Sequence, residues 1–209
     1  MNNFDVAATE WDSHPLRVEL ARKIGDAIRR TGHLSHETRL LDYGCGTGLL
    51  GLYLLPHIKH VTGIDTSPGM LEVLQEKIVQ SHLSNMEVHL LDLQNPTVSV
   101  PSSEEFDAIT MNMVLHHVKE TCSLLQNLKS LLRPNGTLFI ADLDSEPGTF
   151  HAKGFEGVFH HGFDREELSE QLTKAGFKPL EIVTAHTMEK KHDDDTSGCY
   201  DIFLAVAKA

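Results

Sequence analysis

Residues 40–55, LLDYGCGTGLLGLYLL, constrain the fold more than any other stretch of the chain. Gly44, Gly46 and Gly48 fall within five residues, after a short apolar run and before a helix-forming one. Residues 39–43 read as a buried strand, and residues 48–55 as a helix stopped near Pro56. A strand that enters a helix through a glycine turn opens a parallel α/β sheet. Ligands of such sheets sit beyond the carboxyl ends of the strands, where the strand order reverses. Glycines at that place let the backbone come close to a ligand.

The rest of the chain repeats the alternation. Leu16, Leu20, Ile24 and Ile28 recur every four residues and predict a helix over 14–30. Strands are expected at 60–65, 86–93, 106–114 and 137–143. Between them, Ser67 and Pro68 start a helix that runs to about Ser81. Leu124, Leu125, Leu128, Leu131 and Leu132 form another helical face, and residues 133–136, RPNG, read as a turn. Asp164 and Glu167 have capping-box spacing, and Gly176 closes the helix they open. Strands at 180–186 and 199–207 have no helix between them, so they should form an antiparallel hairpin at one edge. The polar linker 187–198 reads as a mobile loop. The expectation is an α/β, doubly wound, seven-stranded and mostly parallel sheet with an antiparallel C-terminal edge hairpin.

Bulk properties exclude several function classes. The chain has 209 residues and a net charge of −12, which repels a phosphate backbone and argues against nucleic-acid partners. Cys45, Cys122 and Cys199 are odd in number and far apart, so they read as reduced thiols rather than a disulfide framework or zinc site. Residues 1–12 lack the basic-then-apolar pattern of a secretory signal. No apolar run approaches the roughly 20 residues needed to span a bilayer. The expected location is the cytoplasm, with nuclear entry by diffusion left open.

The glycine turn has an acidic neighbour that a phosphate site would not want. Asp42 directly precedes it, and position 49 is leucine where a G-x-G-x-x-G dinucleotide turn needs its third glycine. A carboxylate near a pyrophosphate costs energy, whereas a cationic ligand reverses the sign. S-adenosylmethionine carries a sulfonium and an α-ammonium group, which suit Asp42. Asp65, at the end of the second strand, can accept from ribose hydroxyls, and serves NAD as well as S-adenosylmethionine. Asp92, at the end of the third strand, can accept from an adenine amine, with Leu91 or Leu93 beside the ring.

Those residues carry a family resemblance. LLDYGCGTG, VTGIDTSPGML, LLDL, FDAITMNMVLHHV and LLRPNGTLFIADL are similar to the successive motifs of class I S-adenosylmethionine-dependent methyltransferases. The chain most resembles the group containing the ubiquinone- and menaquinone-biosynthesis methyltransferases. The likeness is strong over 38–145, and FDREELSEQLTKAGF extends it to 163–177. It implies a single Rossmann-like domain over 1–209: a helical lid at 1–34, a cofactor-binding half at 35–145, and a substrate loop with the C-terminal half at 146–209. It further implies that Asp42, Gly44, Gly46 and Gly48 hold the methionine end of S-adenosylmethionine, with S-adenosylhomocysteine as product. Asp65 and Thr66 would meet the ribose, and Met70, Asp92 and Leu93 the adenine. Asn112 and Met113 would lie beside the methionine moiety.

Methyl transfer from a sulfonium is an in-line displacement, so the protein aligns the acceptor and in some cases removes its proton. His116 and His117 follow the fourth strand, where an imidazole can act as base or simply pack. Residues 148–163 hold Phe150, Phe155, Phe159 and Phe163 with four glycines, His151, His160 and His161. They read as a mobile aromatic loop over an acceptor pocket. His116, His117, His160 and His161 are the candidate catalytic residues. A metal site joining the 116–117 and 160–161 pairs is not expected, because adjacent histidines should point apart. Phe4, Trp11 and His14 belong to the lid. NMVL in the fourth strand differs from the N/D-P-P-Y/F pattern for exocyclic base nitrogens. Paired catalytic cysteines for pyrimidine carbon-5 chemistry are missing too. The expected function is methylation of a small-molecule acceptor, apolar or aromatic in character. The alternatives are a non-catalytic methyltransferase-fold subunit and an NAD-type oxidoreductase.

Overall fold

Apolar residues that alternate along the strands feed opposite faces of one sheet, and this sets the layers. Leu40 packs with Leu54, Leu74 and Ile24 on one face, while Leu41 packs with Ile109, Leu124 and Leu168 on the other. The computed structural model describes residues 3–92, 94, 100, 105–152, 154–191 and 196–209. Its strands are β1 (Arg39–Tyr43), β2 (His60–Asp65), β3 (Met86–Leu90), β4 (Phe106–Asn112), β5 (Leu132–Leu143), β6 (Lys178–Lys191) and β7 (Ser197–Lys208). The helices are α1 (Asn3–Ala7), α2 (Pro15–Arg30), α3 (Leu49–Leu54), α4 (Pro68–Gln80), α5 (Thr121–Leu131) and α6 (Arg165–Lys174). Helices α2, α3 and α4 cover one face, and α5 and α6 the other.

The sheet order is β3-β2-β1-β4-β5-β7-β6. β1 to β5 pair in parallel, and β7 runs antiparallel between β5 and β6. The chain reverses direction across the sheet between β1 and β4. The carboxyl ends of these two strands therefore diverge into a cleft. The expected seven-stranded sheet with a C-terminal edge hairpin is what forms.

Capping follows the sequence closely. Ser67 Oγ accepts from the Met70 N–H at 3.2 Å at the start of α4. Asp164 Oδ1 accepts from the Glu166 and Glu167 N–H groups at 2.9 and 3.0 Å at the start of α6. Gly176 ends that helix at φ +91°.

Four boundaries differ from the expectation. β3 stops at Leu90 rather than 93, and β4 stops at Asn112 because Met113 turns to φ +58°. Residues 133–136 are not a free turn but the irregular start of β5. Leu132 pairs with Phe106, the register then shifts, and Asn135 takes φ +64°. The polar linker 187–198 is largely strand, pairing from Thr187↔Asp201 to Lys191↔Ser197, with residues 192–195 outside the described set. Met188 and Tyr200 are buried on this extension, and Thr187 donates to Asp201 at 2.5 Å. Charged side chains on β6 suit an edge strand that must not pair with another chain. That is why the segment reads as loop by composition.

Candidate functional site

The glycine turn follows β1 and is tied to the next strand. The Gly44 and Cys45 N–H groups donate to the Ile64 carbonyl at 2.8 and 3.0 Å. Gly44, Gly46 and Gly48 have φ of +69°, +53° and +83°, a region that side chains disfavour. At Gly44 a Cβ would also strike Val114, whereas at Gly46 it would meet nothing within 4 Å. Gly46 therefore presents bare backbone to open space, at the wall of a cavity of about 490 Å3. That volume is within the range of roughly 300–1,000 Å3 for small-molecule clefts.

Asp65 stitches this wall together. Its Oδ2 accepts from the Gly46 N–H at 2.7 Å and its Oδ1 from the Ser67 N–H at 2.9 Å. Burial raises its pKa, and the hydrogen bonds from Ser67 and Gly46 pull it back. Thr66 and Met70 line the same wall. Asp42 borders the cavity from beneath the turn rather than standing at its mouth, and is only 2% exposed. Its Oδ1 accepts from the Thr110 hydroxyl at 2.7 Å, and its buried Oδ2 faces the Gly51 amide at the start of α3, without a well-aligned hydrogen bond among the described residues. Burial pushes its pKa up to about 7, with the Thr110 bond opposing and Asp65 adding to the rise. On the neighbouring strand, Asn112 Oδ1 is a second buried acceptor without a partner, and Met113 holds its left-handed backbone by donating to the Ala141 carbonyl at 2.8 Å. Both residues line the cavity.

The third strand end differs from the sequence expectation. Leu91 and Gln94 line the cavity, while Asp92 is exposed and accepts from the Gln94 N–H at 2.9 Å. The early end of β3 turns the chain there, so Asp92 closes a local turn instead of facing the ring site. Leu93 lies outside the described residues. Gly48 is not a lining residue either. It starts α3 with its α-carbon against Leu74 of α4.

The N-terminal segment closes one side. Asp5 Oδ1 accepts from the Ser67 hydroxyl at 2.6 Å and the Gly69 N–H at 3.1 Å. Asp12 accepts from the Thr47 hydroxyl at 2.5 Å and pairs with Lys77. Lys77 donates in turn to the Thr47 carbonyl at 2.6 Å. Phe4, Trp11 and His14 all line the cavity, and the Arg17 guanidinium lies 3.7 Å over the Trp11 ring. Sequence reasoning singled out the aromatic residues of this segment but missed its acidic contacts, because their partners are more than thirty residues away.

The other end of the cavity is aromatic. Phe4 meets His117 edge-on at 5.2 Å and Phe155 at 6.0 Å. His116, 1% exposed, presents Nδ1 to Asp142 Oδ1 at 2.7 Å, and Asp142 is 0% exposed. A carboxylate only accepts, so Nδ1 carries a proton toward Asp142. His116 Nε2 is buried and has no hydrogen-bond partner among the described residues. His117 Nδ1 likewise donates to the Gly157 carbonyl at 2.7 Å. Asp142 also accepts from the His116 and Leu143 N–H groups, which locks its orientation. The sequence reading passed over Asp142, although an acid at the end of an apolar strand was the available signal.

His160 and His161 do not join this end. The Phe159 and His160 N–H groups donate to the His116 carbonyl, and this turns the His160 ring to the Val118 carbonyl at 2.9 Å. His161 is exposed beside Glu146. Their place is taken by His151, whose ring lies 5.1 Å from that of His116 and 5.4 Å from that of His117. The His116 and His117 rings themselves lie 4.0 Å apart, so these adjacent histidines converge rather than diverge. Burial, then His116, pushes the His117 pKa down to about 4. Burial, then His116 and His117, pushes that of His151 down to about 3.

Comparisons with known proteins agree with this architecture. The profile of a family described as a methyltransferase domain matches residues 16–182. An uncharacterized methyltransferase of Schizosaccharomyces pombe is 34% identical over 155 residues, covering 69% of this chain. The match spans 55% of that protein, little more than half its length. A ubiquinone biosynthesis O-methyltransferase of Coxiella burnetii is 28% identical over 170 residues, covering 76% of this chain and 71% of that one. A crystal structure described as a SAM dependent methyltransferase from Aquifex aeolicus superposes with a TM-score of 0.72 at 21% identity, covering 98% of this chain and 97% of that one. At that identity the superposition shows the shared fold.

Proposed function

The chain belongs to the methyltransferase-domain family, and from that premise we propose that it moves a methyl group from S-adenosylmethionine to a small-molecule acceptor. The carrying observation is the chemistry of the turn end of the cavity. Among the described residues, Asn112 Oδ1 is a buried acceptor with no hydrogen-bond partner and Asp42 Oδ2 meets only the Gly51 amide at the start of α3, on neighbouring strands beside the bare backbone of Gly46. Buried acceptors left unpaired cost about 1–3 kcal/mol each, so the site is made for a donor-rich, cationic group. A pyrophosphate would add acceptors to acceptors.

When bound, S-adenosylmethionine supplies an activated methyl on a sulfonium. Gly44, Gly46, Asp42, Asn112 and Met113 hold its amino-acid end in this reading. Asp65 and Thr66 take the ribose, and Met70 with Leu91 and Gln94 borders the base. The Asp5 and Asp12 latches hold the lid that keeps water from the sulfonium. The acceptor sits at the opposite end, between Phe4, Phe150 and Phe155. Its reacting atom is oriented by the imidazoles of His116, His117 and His151. The name of the C. burnetii relative, an O-methyltransferase of ubiquinone biosynthesis, supports an acceptor of this apolar or aromatic kind.

Calorimetry with S-adenosylhomocysteine tests the donor assignment, with micromolar binding expected and no binding at high micromolar ligand overturning it. NADH in the same cell should give no heat. Turnover with a library of hydroxylated aromatic and apolar metabolites then identifies the acceptor.

A further inference from the structure

Packing does not explain the imidazole cluster. Three imidazole rings fill a space that leucine or phenylalanine would fill without leaving a buried nitrogen unpaired. That unpaired atom, His116 Nε2, belongs to a side chain 1% exposed. One ligand nitrogen from each of His116, His117 and His151 lies within 4.8 Å of the others. Two of the three rings have their Nδ1 proton committed, to Asp142 and to the Gly157 carbonyl. In the neutral imidazole form each of these two offers Nε2 as a ligand atom. A carboxylate or carbonyl behind the imidazole is the arrangement that fixes metal-ligating histidines and raises their basicity.

From this geometry we infer that His116, His117 and His151 form a three-imidazole site for a divalent transition cation of the zinc type, with its fourth position open to the cavity. Three neutral nitrogen ligands with one free position suit zinc or cobalt, and an oxygen-loving ion such as magnesium or calcium poorly. Zinc–nitrogen bonds of about 2.0–2.1 Å in a tetrahedron put the nitrogens roughly 3.3 Å apart. Closure from within 4.8 Å requires the rings to draw together, and His151 is on a segment with Gly148 and Gly154 at φ +83° and +81°. Asp142 supplies buried negative charge behind the site. The nearby Lys190 ammonium donates to the Phe150 carbonyl. Phe150 at 5.0 Å and Phe155 at 5.2 Å from the His151 ring provide an apolar surround. The fourth position would meet an acceptor's oxygen, nitrogen or sulfur. The inference extends the proposed function but does not need it, because metal uptake is read without methyl donor.

The test uses the full chain without an affinity tag, stripped with chelator and titrated with Zn2+ by calorimetry and with Co2+ by visible absorption. One equivalent of Zn2+ per chain is expected, with Co2+ bands of a four- or five-coordinate nitrogen site. His151→Ala and His117→Ala should each weaken binding more than about tenfold, the low end of what losing even an outer-shell partner costs. His161→Ala should bind as the parent does. Far-ultraviolet dichroism and S-adenosylhomocysteine binding on the same samples establish that the variants are folded. Uptake well below one equivalent, or His151→Ala and His117→Ala binding as tightly as the parent, overturns the metal site. Loss of S-adenosylhomocysteine binding with metal uptake intact would instead count against the donor assignment alone.

Discussion

The two ends of the cavity are built on different principles. At the turn end, Asp42, Asp65 and Asn112 stand at the ends of β1, β2 and β4, and β1 pairs with both of the other two. Backbone pairing fixes their spacing, and Asp65 is bonded to the turn it serves. At the aromatic end, Phe4, His117, His151 and Phe155 come from the lid, the turn after β4 and the segment after β5. They meet through ring contacts and a few bonds between connecting segments, such as His117 Nδ1 to the Gly157 carbonyl, rather than through sheet pairing. A site carried on strand ends tolerates little variation, whereas one carried on connecting segments can change its ligand while the sheet stays the same. The first arrangement suits a constant donor and the second a variable acceptor.

Substitutions at the turn end should therefore move donor binding strongly, and those at the aromatic end hardly at all. The largest effect is expected for Asp65→Ala, which removes two charge-assisted bonds worth roughly 1.5–3 kcal/mol each. S-adenosylhomocysteine affinity should fall at least about a hundredfold by calorimetry. An unchanged dissociation constant would erase the contrast between the two ends.

Asp42→Asn comes next and has a pH signature. The folded-state pKa of Asp42 is about 7, above the ordinary carboxylate value of 3.8. The native state thus binds more protons than the unfolded one between these values, and the group's contribution to stability falls as pH rises from about 4 to about 7. The limiting size is on the order of 4 kcal/mol. Without ligand, Asp42→Asn should melt higher than the parent at pH 8, yet bind S-adenosylhomocysteine about tenfold more weakly there. Parent binding should weaken as pH falls below 7, by up to about tenfold per unit, while binding by the variant stays nearly flat. Parallel pH profiles would place the ligand's cation elsewhere.

Asp12→Ala should have a smaller effect, because half-buried ion pairs contribute roughly 1 kcal/mol. Donor affinity should drop a few-fold, and Trp11 fluorescence should report a looser lid. The smallest effect on donor binding is expected for Phe155→Ala. Its dissociation constant for S-adenosylhomocysteine should match the parent's, while KM for the acceptor rises. A large loss of donor binding here would show that the two ends act as one.

Much of the turn end was legible because its signals are local. A glycine turn, an acid before it and an acid at the next strand end lie within one β-α-β unit. The reading failed where a strand ended early and Leu91 and Gln94 replaced Asp92 at the wall. The burial of Asp42 was not legible either, since it depends on Thr110 of a strand far along the chain. At the aromatic end, composition announced histidine and phenylalanine in residues 148–163 but not which of them turn inward. Backbone bonds from Phe159 and His160 to His116 decided that, and they exchanged His160 and His161 for His151.

The sequence by itself determined the sheet, its parallel order, the caps of α4 and α6, and the glycine turn that opens on the cavity. Periodicity, glycine placement and capping act over a few residues, and a chain carries such information wherever it lies. Only the tertiary structure decided the His116–Asp142 pair, the acidic latches of the lid and the convergence of three imidazoles. Those contacts join segments brought together by burial of the two apolar faces, and no local pattern encodes which side chains will meet once the sheet has closed.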